Sequence, residues 1–277
     1  MTAARPIDSM PSRRNIGILL RAQGLHKRFG GVQAVHDISF DIPEGAVFAI
    51  IGPNGAGKST LLNLLSGIYR PDAGSIVLNG VDLTKLSAHH RVRHGIARTF
   101  QKIRLFKHIS AIDNVVAGFH TRHDIPIWQY IIHGPAWRRD RERCRDEARR
   151  LLAFMGLERR AHLLAGSLSY GEQRMLEIAR ALATAPCLLM VDEPAAGLNA
   201  AEAEMLLDRV DVLRRNGTTL CLVEHNMDLV MKVADQILVI DYGQFLFKGA
   251  PTEVQRHPGV NAAYLGGQLH EPSAHCR

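Results

Sequence analysis

A chain of 277 residues with 46% hydrophobic content is long enough for one large domain or two modest ones with a proper core. No run approaches the roughly 20 consecutive apolar residues of a membrane-spanning helix, and residues 1–17 lack the apolar core of a signal peptide, so they read as a flexible extension. The formal charge of +7 is concentrated in residues 138–160 and at both ends without interleaved aromatics, which favours a solvated helix face over a nucleic-acid surface. Cys144, Cys187, Cys221 and Cys276 show no CxxC spacing, a usage that fits a thiol-reducing compartment.

In chain order, residues 18–42 are strand-like, with apolar and polar residues alternating through Ile38, Phe40 and Ile42 and Gly30-Gly31 as a turn; this predicts an opening antiparallel sheet. Residues 47–51 form an apolar run that ends in glycines and passes into a helical pattern over 58–65, a strand, loop and helix unit. Further strands are expected at 75–78, 188–191, 219–223 and 236–240, and helices at 110–119, 140–155, 171–183 and 200–214. That alternation predicts an α/β fold with a mostly parallel core sheet. Residues of about 88–168 read as mostly helical and are expected to form an α-helical subdomain inserted in the core. The expected organisation is one nucleotide-binding domain over 18–267, with a tail at 268–277. Neither an internal repeat nor a second phosphate loop is visible.

The segment Gly52-Pro53-Asn54-Gly55-Ala56-Gly57-Lys58-Ser59-Thr60 satisfies GxxxxGK[ST] after an apolar strand and before a helix. Glycines let successive N–H groups and the helix N-terminus face an anion, and Lys58 adds charge for the β- and γ-phosphates. Ser59 supplies a hydroxyl for Mg²⁺. The second half of such a site is an apolar strand ending in an acid, and Leu188-Leu-Met-Val-Asp192-Glu193-Pro194 provides one. Asp192 is placed to hold the metal directly or through water. Glu193 follows as the residue suited to orient and deprotonate the attacking water.

Leu168-Ser169-Tyr170-Gly171-Glu172-Gln173, upstream of the Asp192 strand, resembles the signature of the ABC transporter ATP-binding subunits. By itself it is also a Ser-capped helix start with Glu172 in the first turn. The resemblance implies a phosphate-loop nucleotidase core with an N-terminal antiparallel β subdomain and an inserted helical subdomain. It further implies that Ser169, Gly171 and the helix N-terminus contact ATP held by a second cassette subunit. Phe29 resembles the aromatic that stacks on adenine, Gln101 the loop glutamine that senses Mg²⁺ and water, and His225 the switch histidine on the γ-phosphate. Gly197, Leu198 and Asn199 match the D-loop. His89, His90, His94, His120 and His123 have no accompanying acid or cysteine cluster and are expected to be surface residues.

The resemblance narrows at residues 98–106, 170–180, 192–199 and 224–227, and at Ala263-Tyr264-Leu265-Gly266-Gly267, to ATP-binding subunits of branched-chain amino acid importers. The segment of about 121–141 also looks like that subgroup. Two positions depart from the wider family: Tyr170 stands where glycine is usual, and Asn199, in the D-loop, where aspartate is usual. The implied partners are a second ATPase subunit, either a paralogue or another copy, two integral membrane permeases, and a periplasmic or extracellular solute-binding protein. No nucleic acid is expected. The implied location is the cytoplasmic face of the cell membrane, reached through the permeases. Two alternatives stay open: a cassette for urea or amide import or lipid export, and a non-transport ABC ATPase acting on nucleic acid or ribosomes.

Overall fold

The computed structural model describes residues 17–121 and 135–268, which form two compact units. Most of the expected N-terminal extension, nearly all of the expected tail, and much of the 121–141 segment lie outside the described residues.

One unit comprises the described residues up to Ser87 and from Thr219 onward. It opens with β1 (Ile18–Phe29) and β2 (Val32–Pro43), antiparallel and joined at Gly30-Gly31. The strand β4 (Ala73–Leu78) pairs antiparallel on the other side of β1, and β5 (Val81–Asp82) follows it. Alternation along β1 and β2 buries Leu25, Ile38 and Ile42 completely, as expected for a sheet with one dry face.

In the same unit β3 (Val47–Ile51) lies between β8 (Thr219–Val223) and β9 (Gln236–Asp241), parallel to both. Antiparallel β10 (Gln244–Gly249) closes on β9. Every residue of β3 and β8 is buried, which is why these strands read as unbroken apolar runs. Ala49, Ile51, Ile237 and Val239 form a core with Val230 of α7 (Met227–Val233), Val254 of α8 (Pro251–Arg256) and Val260 of α9 (Pro258–Gln268). The helix α1 (Lys58–Ser66) completes this unit.

The other unit spans residues 88–218. Its strands β6 (Ile96–Arg98) and β7 (Leu188–Asp192) are parallel, and its helices are α2 (Ala88–Arg93), α3 (Ala111–Gly118), α4 (Pro135–Phe154), α5 (Tyr170–Leu182) and α6 (Ala200–Arg215). Ser110 caps α3 by accepting from the Asp113 N–H, satisfying one orphan donor of the first turn. A side chain at Gly118 would fall 2.5 Å from the Arg180 carbonyl oxygen, so α3 and α5 approach at backbone distance there. Part of the charge of α4 is locally paired, Arg145 with Asp113 at 3.3 Å and Arg149 with Asp146 at 2.7 Å.

The segment expected to be mostly helical contains β6, whose three residues are too few for alternation to register. The strand β10, the short helices α7 and α8, and α9 also go beyond the expected set. Among the described residues no helix is long and apolar enough to cross a membrane.

Candidate functional site

The phosphate-loop motif follows β3 directly and ends in α1. Two glycines are required by the surrounding backbone. A Cβ at Gly52 would sit 2.1 Å from the Ile240 carbonyl oxygen. At Gly57, the N-cap of α1, φ is 97° and a Cβ would lie 2.4 Å from the Ala34 carbonyl oxygen, a conformation open to glycine and strained for other residues. The result is a loop of bare backbone ahead of a helix N-terminus, a concavity suited to phosphate. Asn54, Gly55 and Ser59 are exposed, Pro53 and Thr60 half-buried, and Ala56 buried. The Lys58 ammonium turns back onto its own loop, donating to the Gly52 and Pro53 carbonyls at 2.7 and 2.9 Å.

Two more expected residues share this unit. Phe29 ends β1 with 42% of its surface exposed, which leaves a ring face open to a stacking partner. Tyr69 meets it edge-on, centroids 5.1 Å apart, and the Lys27 ammonium lies 5.5 Å from its ring centre. His225 follows β8 and is exposed, its N–H donating to the carboxylate of fully buried Glu224. Tyr264 is half-buried in α9. Burial pushes its phenol up to about 12, against an opposing pull from the Gly52 N–H.

The acids at the end of β7 lie in the other unit. Asp192 is buried and its Oδ2 accepts from Arg98 Nη2 at 2.9 Å, the two side chains being only 6% and 8% exposed. Glu193, the next residue, has φ 45°. A left-handed backbone costs a side-chain-bearing residue about 1–2 kcal/mol, and such outliers concentrate at functional sites. Its Oε2 accepts from Gln101 Nε2 at 2.8 Å, so Gln101 and Glu193, 92 positions apart, are brought into direct contact.

The signature segment forms the first turn of α5. The Ser169 hydroxyl accepts from the Glu172 N–H, and the Glu172 carboxylate accepts from the Ser169 N–H at 2.9 Å, a reciprocal capping box. That N–H holds the Glu172 carboxyl below its usual range; partial burial opposes the shift and Arg160, 2.9 Å away, adds to it. Leu168 is buried, and its carbonyl accepts from the Gln173 amide at 2.8 Å. Gly171 leaves room for the Glu202 carboxylate, which a Cβ would meet at 2.2 Å. In the D-loop, a Cβ at Gly197 would lie 2.9 Å from the Tyr170 ring. Leu198 is half-buried. Asn199, in place of the usual aspartate, caps α6 and forms a second capping box with Glu202.

One cluster was not singled out from the sequence. Arg174 is fully buried and paired with Glu177 at 3.0 Å. Burial pushes the Glu177 carboxyl up, with the Arg104 N–H and the Arg174 charge pulling the other way. Burial lowers the neighbouring Arg180 guanidinium, which Glu177 partly offsets. The available signal was two opposite charges at i and i+3 within the apolar stretch of α5 formed by Met175, Leu176, Ile178 and Ala179. His89, His90, His94 and His120 are exposed, as expected, and His123 lies outside the described residues. Among the described residues no group of three His, Cys, Asp or Glu could hold a metal by itself.

A bare phosphate cradle and an acid-tipped buried strand define a phosphate-loop nucleotide-binding cassette. The model of the ABC transporter family matches residues 35–196, and the chain belongs to that family as one of its ATP-hydrolysing cassettes. It is 41% identical over 249 residues to the high-affinity branched-chain amino acid transport ATP-binding protein LivG of Salmonella typhimurium, covering 90% of this chain and 98% of the relative. The corresponding BraF of Pseudomonas aeruginosa shows the same identity and coverage. Among solved structures, the ADP conformation of an ATP-binding cassette of an ABC transporter aligns with TM-score 0.79 and 31% identity, covering 90% of this chain and 99% of that one. A nucleotide-free cassette aligns with TM-score 0.78 at 30% identity and the same coverage.

Proposed function

We propose that this chain is the ATP-hydrolysing subunit of an importer for branched-chain or related amino acids, acting on separate membrane permeases. The observation that carries this reading is the 41% identity over 98% of LivG. At the two positions that depart from the wider family each residue has a built local role: Tyr170 packs on Gly197, and Asn199 caps α6.

In this reading Phe29 stacks on adenine and residues 52–60 hold the phosphates. Lys58 exchanges its loop carbonyls for the β- and γ-phosphate oxygens. Glu193 takes the proton of the attacking water, Gln101 orients its carboxylate, and His225 contacts the γ-phosphate. Residues 168–173 face ATP held by the partner cassette, and residues 197–199 contact that cassette. Mg²⁺ fits the donors present: the Ser59 hydroxyl, the Asp192 carboxylate and the Gln101 amide oxygen are all hard oxygen ligands. When bound it neutralises charge developing on the phosphates. Arg98 pairs with Asp192 in the present arrangement and would share that carboxylate with the metal.

The partners follow from the same reading: a second ATPase subunit, two integral permeases and an external solute-binding protein, with this chain at the cytoplasmic membrane face. The helical segment of about 88–168 is the subdomain that meets the permeases. Uptake of labelled leucine in cells lacking this chain is the test. Uptake is expected to be restored by the wild-type chain and not by Glu193→Gln. Leucine uptake that persists without the chain, alongside loss of urea or amide uptake, overturns the substrate assignment.

A further inference from the structure

We propose that Arg174 is a positioning residue for hydrolysis, tying the first turn of α5 to the Gln101 loop and through it to the carboxylate of Glu193. The proposal rests on Glu193 being the general base.

The geometry is specific. Arg174 Nη1 donates to the Phe100 carbonyl at 2.7 Å and to Glu177 Oε2 at 3.0 Å. Nη2 donates to the Gln101 carbonyl at 2.9 Å and lies 3.4 Å from the Tyr170 hydroxyl. The second Glu177 oxygen accepts from the Arg104 N–H at 3.2 Å, and Arg180 donates to the Arg104 carbonyl. The loop from Phe100 to Arg104 is thus held at both ends by side chains of α5. The side chain of Gln101, whose backbone Arg174 grips, donates to Glu193. Tyr170, whose hydroxyl lies beside that same Nη2, packs its ring against Gly197, four residues beyond Glu193.

Stability alone is a weak reason for this arrangement. A buried ion pair is often matched or bettered by apolar residues of similar volume, and Arg174 Nε is buried without a hydrogen-bond partner among the described residues. What an apolar pair could not do is fix two successive carbonyls of an exposed loop. Catalytic groups lose about 100-fold in rate when displaced by about 1 Å. Four hydrogen-bonding directions from one rigid, planar guanidinium are a means of preventing that displacement.

The test compares the full-length chain with Arg174→Met/Glu177→Leu, which removes the pair without stranding a buried charge, and with Arg174→Lys, which keeps the charge but not the fork. Steady-state ATP hydrolysis, ATP affinity by calorimetry, melting temperature and backbone hydrogen exchange are measured. For the double variant kcat is expected to fall at least about 10-fold while ATP affinity stays within about 2-fold, and for Arg174→Lys to fall by an intermediate amount. Exchange at residues 100–104 is expected to rise while that of β7 is unchanged. In a Gln101→Ala background the same double substitution is expected to lower kcat by less than about 2-fold, because both act on one carboxylate. Should the double variant melt too low to assay, Arg174→Lys carries the same comparison. A wild-type kcat, a loss shared equally with ATP affinity, or effects that multiply with Gln101→Ala overturn the proposal. Glu193→Gln in the same assay separates the two readings: full activity there refutes the base assignment, whereas an inactive Glu193→Gln beside a fully active Arg174 variant refutes only the positioning role.

Discussion

Around residues 52–60 the backbone itself supplies the binding surface, whereas around Gln101 and Glu193 the working groups are side chains held by other side chains. In the phosphate loop the requirement at Gly52 and Gly57 is the absence of a Cβ, set by the carbonyls of Ile240 and Ala34. At the end of β7, Asp192 depends on Arg98, Glu193 on Gln101, and the Gln101 loop on Arg174. The first kind of site tolerates change in its neighbours and none in its glycines. The second spreads its sensitivity over residues distant in sequence.

Substitutions can break this contrast, starting with the largest expected effect. Glu193→Gln, nearly isosteric, should lower kcat by about 10²–10⁴-fold with ATP affinity retained; turnover assays and calorimetry on one preparation check both. Arg98→Met should leave the Asp192 carboxylate buried without its ion pair, at a cost of about 3–5 kcal/mol read by urea unfolding. Millimolar MgATP is expected to recover part of that loss. Gly52→Ala should weaken ATP binding by about 100-fold, near 2.7 kcal/mol, because its Cβ meets a carbonyl oxygen that belongs to the β9 backbone. If affinity holds, the cradle is less dependent on its glycine than the geometry implies.

Two smaller effects sharpen the comparison at helix starts. Asn199→Ala removes the α6 cap and should cost about 1 kcal/mol, measured by thermal unfolding, whereas Asn199→Asp keeps a capping oxygen and should be close to neutral. The smallest concerns pH. The Ser169 N–H, and with it Arg160, holds Glu172 below its ordinary value of 4.5, so the unfolded chain takes up the proton first as pH falls. Its contribution is therefore complete above that value and is lost as pH drops through the lower folded value. Glu172→Gln keeps a side-chain oxygen to accept from the Ser169 N–H and should flatten this acid-side slope, with little change at neutral pH; parallel melts from pH 6 to pH 3 check it.

Legibility in the sequence followed the same contrast. Residues 52–60, 168–173 and 188–194 were readable because each site is contiguous: glycine spacing, a capping pair three residues apart, and an apolar strand with acids at its tip. The long elements read well for the same reason, since period-two and period-3.6 patterns survive in stretches such as 171–183. β6 was missed because three residues carry no period, and α7 and α8 because short capped turns around one or two buried valines look like loop.

The sequence by itself determined the class of protein, the phosphate loop with Lys58, the acidic pair Asp192-Glu193 and the helix start at Ser169, because local chemistry at fixed spacing is enough for those. Only the tertiary structure decided that Arg98 pairs with Asp192, that Gln101 reaches Glu193, and that Arg174 grips the loop between them. These contacts join residues some 70 to 94 positions apart. No periodicity or motif encodes a pairing that exists only once helices and strands have packed and water has been excluded from between them.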